Sequence, residues 1–405
     1  MVRSGIQGTG PARSGIGAPL ASLRVLDLSR VLSGPFAGRM LSDLGADVVK
    51  VEPPEGDITR RWGAVRNGLS GYFTQQNAGK RTLCVDLDVP GSSELLLRLA
   101  ERADVLIENF RPGVLDKRGL DYESLRARNP GLILLSISGF GRNSPEAQRP
   151  AYAPVLHAEA GIVARQAEFD AAPHTDPVLS IADTNAGLHG LVGILAALHM
   201  RERTGKGQHI DIAMLDAMLA TDDYAHFSLD EVPTLRGGGE IWDAPGGPIM
   251  ITGDFRDIWR ILVRKFGIVD PTPAGAALSE KIRLRRETAA GFFREFADRA
   301  SLVAALDGVN LAWGDVRSTA TAFASPTARA RGTVAAVDDR GGGTRPVVES
   351  PYRFSDAESG VARGAGHRGE HNREVLAEWL GASPDEITKL EEAGVLLAED
   401  ASAHE

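Results

Sequence analysis

From Leu23 the chain alternates short β-branched apolar runs with amphipathic stretches, the pattern of βα units wound around a mainly parallel sheet. Strands are predicted at Arg24–Leu28, Asp47–Glu52, Thr82–Asp86, Val105–Glu108 and Leu132–Ser136, with helices near 36–44, 91–102 and 121–128 among them. The fold class is therefore α/β. Leu188, Leu191, Val192, Leu195 and Leu198 recur at helical spacing, and Arg201, Arg203 and Gly205 close that run as a helix C-terminus. His209–Leu215 then alternates like another strand.

The pattern changes near Tyr224, where Gly- and Pro-rich stretches such as Gly237-Gly238-Gly239 and Pro245-Gly246-Gly247 begin. A second, smaller α+β domain is expected over 225–330, with a strand at Pro248–Thr252, a helix capped by Asp254 and a helical stretch near 281–298. A strand at Arg345–Glu349 follows, and a last helix starts at Ser383-Pro384-Asp385-Glu386, a capping box with proline at the first helical position. The large domain is thus read as 19–224 plus 331–398, with loose tails at 1–18 and 399–405.

Composition narrows the function. Against 45 Lys+Arg stand 54 Asp+Glu, a net charge of −9, so the chain lacks the electrostatics of a phosphate-backbone binder and nucleic acid is not an expected partner. Cys84 is the single cysteine and no Cys/His cluster has zinc spacing, which points to a reducing compartment and no metal. The longest helix-like apolar stretch, Gly187 to Met200, is interrupted by His189 and His199. It falls short of the roughly 18–20 residues of a membrane span, so no membrane association is expected. The first 18 residues contain no apolar signal core, and a cytoplasmic protein is expected.

Familiar catalytic signatures are missing. There is no G-x-x-x-x-G-K-[ST] and no G-x-S-x-G, and Ser29-Arg30-Val31-Leu32-Ser33-Gly34-Pro35 replaces the G-x-G-x-x-G of a dinucleotide enzyme after the first strand. Cys84 lies in an apolar strand pattern, where a packed thiol is the ordinary outcome. What remains is Asp183, immediately before the strongest helix, where free N–H groups and the helix dipole favour an ionised carboxylate. Such a group either caps the helix or attacks an activated acyl carbon.

Ordered blocks along nearly the whole chain bear on that choice. They are Val25-Leu26-Asp27-Leu28 with Ser33-Gly34-Pro35, Asp43–Pro54, Gly56-Asp57, Thr59-Arg60, Asn77–Arg81, Glu108–Val114, Ser136–Gly141, Arg203–Gln208 and Gly369-Glu370-His371 with Glu374-Val375-Leu376. In these blocks the chain resembles the family III CoA-transferases, the group that includes formyl-CoA:oxalate and carnitine CoA-transferases. The resemblance implies a Rossmann-like large domain, an interlocked homodimer, and acyl-CoA and a carboxylic acid as substrates, with no tightly bound cofactor.

By the same resemblance, Asp183 is the nucleophile that forms a mixed anhydride and then an aspartyl-CoA thioester. CoA contacts fall on Leu32, Ser33, Val85, Leu87, Asn109, Phe110, Arg111, Lys117, Ser138 and Phe140. Trp62 and Tyr72 correspond to the acyl pocket, and Gly238 and Gly239 to a glycine loop over the site. Alternatives remain for several of these: solvated charges at Arg111 and Lys117, core packing at Phe110, Phe140, Trp62 and Tyr72, and a flexible linker at Gly237–Gly239. Leu32 and Asp88 replace a glutamine and a lysine of the oxalate-using branch, which points to an acyl group less polar than oxalate. His157 reads as a pocket donor or a satisfied buried histidine. A rival reading, α-methylacyl-CoA racemase, needs a histidine where Ala151-Tyr152-Ala153 stands, and a silent acyl-CoA binder would lack Asp183.

Overall fold

The computed structural model describes residues 17–234 and 238–399. Strands β1 (Arg24–Asp27), β2 (Asp47–Glu52), β3 (Arg81–Cys84), β4 (Val105–Glu108), β5 (Ile133–Ser138) and β6 (His209–Ala213) form one sheet. Their order is β3-β2-β1-β4-β5-β6 and every pairing is parallel. This is the order of doubly wound folds, in which winding reverses between β1 and β4 and loops from their carboxyl ends part to leave a ligand crevice.

Side-chain alternation explains the two layers. Val25, Val105, Ile107, Ile133 and Leu135 pack toward α1 (Ser33–Asp43) and α2 (Ile181–Thr204), while Leu26, Val49, Leu83, Leu106 and Leu134 join the core that includes Leu96, Leu99 and Trp379. With both faces covered, β1 to β5 are buried at nearly every position, whereas the edge strand β6 is only partly so. Edge strand β3 is closed by the C-terminal motif. His371 Nδ1 accepts the Thr82 N–H at 3.1 Å, and Asn372 Oδ1 accepts that of Cys84 at 3.0 Å.

Two predicted elements differ. His209–Leu215 is a strand only to Ala213, after which Met214, Ala217 and Met218 bury one face of the helix Met214–Ala220. Helix α2 has 24 residues and starts at Ile181, so by length and composition alone it is long and apolar enough to cross a membrane, which the count over Gly187–Met200 missed. Its Ala182, Ala186, Leu191, Ile194 and Ala197 are buried in the sheet's core, which makes it a core helix.

Contacts divide the chain into two compact units, Met1–Asp223 with Ala330–Glu405 and Tyr224–Arg329. The second has a three-stranded antiparallel sheet, Gly239–Trp242, Ile249–Thr252 and Trp313–Asp315, with helices Phe255–Phe266, Leu278–Arg294 and Arg299–Gly308. Asp254 caps the first of these helices as expected, its side chain accepting the Arg256 N–H. Trp242, Ile251, Trp259, Leu262 and Phe293 form its core. Of the expected tails, residues 1–16 and 400–405 lie outside the described residues, as does Gly237.

Candidate active site

Everything at the winding reversal depends on the loop after β1. Asp27 closes β1, and Ser29 returns a backbone N–H to its Oδ1 at 3.0 Å. Lys80 Nζ bonds Asp27 Oδ2 at 2.8 Å, the Pro35 carbonyl at 2.8 Å and Asn77 Oδ1 at 2.9 Å. Burial would raise the Asp27 carboxyl, but the ammoniums of Lys80 and Lys50 outweigh it and hold Asp27 below the usual carboxylate range. Lys50 in turn reaches Asp57 at 3.2 Å and donates to the Ser29 carbonyl at 2.7 Å. Glu52 receives Arg60 through two bonds of 2.7 and 2.6 Å. Each of these charges is buried or nearly so, and each has its partner.

The network fixes an unusual backbone. Val31 adopts φ of 68°, a left-handed conformation that costs a β-branched residue about 1–3 kcal/mol. Asp57 Oδ2 holds the Val31 N–H at 3.1 Å, and Asn109, just past β4, accepts the Arg30 N–H at 2.8 Å. Asn109 Nδ2 also donates to the Arg30 carbonyl at 2.7 Å and to Ser33 Oγ at 3.1 Å. The loops from β1 and β4 are thus tied across the crevice. Glu108 shapes the second loop by accepting the Phe110 N–H at 2.8 Å, and burial pushes its carboxyl up to about 7.

Asp183 lies in the first turn of α2 rather than before the helix, 9% exposed. A side chain at Gly187, one turn on, would meet the Ser33 carbonyl at 2.7 Å, so only glycine lets α2 approach α1 this closely. The carboxylate therefore meets the starts of three helices: its own, α1 at Ser33, and Ala153–Glu159 at Ala153. Burial pushes the Asp183 carboxyl up to about 6, against the opposing pull of the Ser33 N–H, the His157 ring, the Ala153 N–H and the Ser33 hydroxyl. It remains mainly ionised at neutral pH, though burial leaves it a weaker acid than the helix dipole alone predicts. His157 is fully buried, with Nδ1 2.8 Å from Asp176 and Nε2 accepting the Ala182 N–H at 3.2 Å. It is the satisfied histidine of the two readings, and it anchors the start of α2.

Two adjoining cavities open at this place. The smaller, 110 Å³, is lined by Asp183, Ser33, Asn109, Arg111 and Ser138 among others, and the larger, 620 Å³, by Val85, Leu87, Asp88 and Arg118. Arg30, Val31, Phe110 and Tyr152 border both. The remaining sequence-selected residues lie elsewhere. Leu32 is buried at the start of α1 and Phe140 in the core beneath Arg149, both outside the two linings. Lys117 is exposed and borders neither cavity. Trp62 and Tyr72 meet edge to face at 5.1 Å and line a third cavity. Gly238 and Gly239 belong to the second unit, and Gly239 opens its first strand.

Sequence reasoning missed Arg30, Arg118, Arg149 and Tyr152 as cavity residues. Arg30 stood inside the quoted β1 loop and Arg118 beside Lys117, so proximity to the motifs was the available signal.

At the winding reversal of the parallel sheet, two loops and three helix starts thus converge on a buried, ionisable aspartate. Residues 20–372 match the model of CoA-transferase family III. The succinate–glutarate CoA-transferase of Agrobacterium fabrum is 35% identical, over 89% of this chain and 95% of its own. The formyl-CoA:oxalate CoA-transferase of Streptomyces avermitilis is 32% identical, over 93% and 99%. A crystal structure of a CAIB/BAIF family protein from Brucella suis superposes with a TM-score of 0.77 at 34% identity, covering 90% of this chain and all of the other. The chain belongs to CoA-transferase family III and is a transferase.

Proposed function

We propose that the protein moves CoA from an acyl-CoA to a carboxylic acid through covalent intermediates on Asp183. The observation that carries this reading is the position of Asp183: buried, mainly ionised at neutral pH, on the wall of a cavity bordered by Arg30, Arg111 and Arg149. An Asp183 oxygen attacks the thioester carbonyl, the C–S bond breaks, and CoA leaves as thiolate from a mixed anhydride. The thiolate attacks the aspartyl carbonyl, the donor acid departs as carboxylate, and Asp183 holds CoA as a thioester. An acceptor carboxylate expels the thiolate and forms a second anhydride. Attack of the thiolate on the acceptor-derived carbonyl releases the new acyl-CoA and restores Asp183.

With the Ser33 N–H directed at Asp183, the Gly34 N–H, unpaired within α1, supplies the positive pole of this helix start for the oxyanion of each attack. Arg30 over the Phe110 ring and Arg118 offer cations and an aromatic face to the nucleotide end of CoA, which enters as a substrate. Neither cavity has a histidine in its lining, and His157 is fully engaged, so the racemase reading finds no support. The exposed apolar stripe Leu188, Val192 and Leu195 along α2 supports a homodimer, and the buried thiol of Cys84 suits a cytoplasmic setting.

The test is intact-protein mass spectrometry after incubation with pooled acyl-CoAs, followed by peptide mapping. A CoA-mass adduct is expected on the peptide containing Asp183, and Asp183→Ala and Asp183→Asn are expected to lose transfer by at least ~1000-fold while still binding CoA. Retained turnover in either variant refutes the assignment. Solvent deuterium entering the α-carbon of a branched acyl-CoA without an adduct transfers the case to a racemase.

A further inference from the structure

Helix α2 begins without a side-chain cap of its own. Ser180, its N-cap residue, makes no side-chain hydrogen bond to the first turn, so the N–H groups of that turn need acceptors from elsewhere. A carboxylate at the third helical position, where Asp183 stands, is ordinarily drawn back onto its own helix start. The Asp183 carboxylate is engaged instead by the Ser33 N–H and hydroxyl and by the Ala153 N–H, which belong to two other helices.

The missing acceptor comes from His157. From the helix Ala153–Glu159, its Nε2 takes the Ala182 N–H at 3.2 Å, one residue before Asp183. A backbone N–H can only donate, so Nε2 is unprotonated there and the ring proton resides on Nδ1. Asp176 Oδ1 lies 2.8 Å from Nδ1 and accepts that N–H. A ring protonated on Nε2 would set two N–H groups against each other, so Asp176 fixes the tautomer. It does so from the segment between the helix Ile162–Asp170 and α2. His157 is fully buried, whereas the Asp176 carboxylate is 41% exposed.

One short helix therefore holds the reacting group at two points. Ala153 and His157 stand one helical turn apart, the first meeting the Asp183 carboxylate and the second the backbone just before it. His157 lines neither the cavity at Asp183 nor the larger one, so it can act on the chemistry only through Asp183. We infer that His157, oriented by Asp176, is the positioning residue of the nucleophile: by capping α2 at Ala182 it releases the Asp183 carboxylate from its own helix start and holds it toward the cavity. This inference rests on the transferase reading above, in which Asp183 is the reacting group.

The experiment compares the full-length wild type with His157→Leu, His157→Gln and Asp176→Ala. Leucine fills the space without an acceptor, glutamine carries an oxygen about as far out as Nε2, and alanine removes the group that fixes the tautomer. The measurements are the rate at which pooled succinyl-, acetyl- and butyryl-CoA place CoA on the Asp183 peptide, and CoA affinity by calorimetry. His157→Leu is expected to slow the adduct by ~100-fold and Asp176→Ala by at least ~5-fold, each with CoA affinity within ~2-fold of wild type, while His157→Gln recovers at least ~5-fold over His157→Leu. In wild type carrying nitrogen-15 histidine, the His157 signal, assigned by its loss in His157→Gln, is expected to show a neutral ring protonated on Nδ1. A role confined to the fold lowers the adduct rate only as far as it lowers CoA binding and leaves glutamine no better than leucine. Either result overturns the inference, as does a proton on Nε2 in the wild-type spectrum. Should His157→Leu fail to fold, Asp176→Ala at its exposed position and the wild-type spectrum decide. Wild-type adduct formation with unslowed variants overturns this inference alone, and absence of any adduct on Asp183 in wild type overturns the transferase reading with it.

Discussion

The platform beneath the β1 loop and the cavity of Trp62, Tyr72, Arg66 and Arg345 treat charge in opposite ways. In the platform every buried ion has a counter-ion or several hydrogen bonds, and the result is a strained loop held in one shape. In the cavity Arg345 donates only to neutral oxygens, with the Asp339 charge nearby but not in contact, and Arg66 is exposed. Saturation fixes geometry, and incompleteness leaves room for a ligand.

The sharpest way to break this contrast is to unsaturate the platform. Asp27→Ala leaves the fully buried Lys80 and Lys50 short of one carboxylate, and removing one member of a buried pair costs about 3–5 kcal/mol. Chemical denaturation should show that loss, whereas Arg66→Gln should change stability by less than about 0.5 kcal/mol because its side chain is exposed. Equal losses in the two variants would erase the distinction between the regions.

A smaller effect follows from the burial of Asp183. Its carboxyl is pushed up to about 6, and in the proposed mechanism only the ionised form attacks, so kcat/KM should be flat above pH 7 and fall below 6. At pH 5 the loss from the plateau is about 10-fold, or ~1.4 kcal/mol. A limb near pH 4 instead would mean that the helix starts outweigh burial, which is what the sequence alone suggested.

The parallel sheet was legible because strands buried on both faces are apolar runs with turn residues between them, and Asp47–Glu52 and Val105–Glu108 fall where the pattern puts them. Only the ordered motif blocks single Asp183 out, since one aspartate near a helix start is ordinarily a cap. Its three converging helix starts come from segments at 33, 153 and 181, which no local pattern brings together. The buried ion pairs joined quoted motifs, but nothing in Lys80 or Asp27 reveals that they meet across 53 residues. Arg66 and Arg345 were invisible for the same reason, their cavity being assembled from two hairpins 270-odd residues apart, one of which orients a side chain through carbonyl groups.

Nucleotide binding gives the smallest effect and the closest comparison, because it sets neighbouring cations against each other. Motif resemblance selected Lys117, yet Lys117 is exposed outside both cavities, whereas Arg118 lines the larger one, donates to the Leu87 carbonyl and pairs with Asp88 at 2.8 Å. The Asp88 carboxyl is 84% exposed, so this ion pair is weak and an incoming phosphate can exchange with it. Arg118→Ala should therefore weaken CoA binding by about 1–1.5 kcal/mol in calorimetry, with a salt dependence that falls as the charge is removed. Lys117→Ala should change it by less than about 0.5 kcal/mol. If Lys117 proves the stronger of the two, the one-turn helix Asp116–Arg118 must rotate when CoA binds, and the cavity would have to be completed by a movement of that turn.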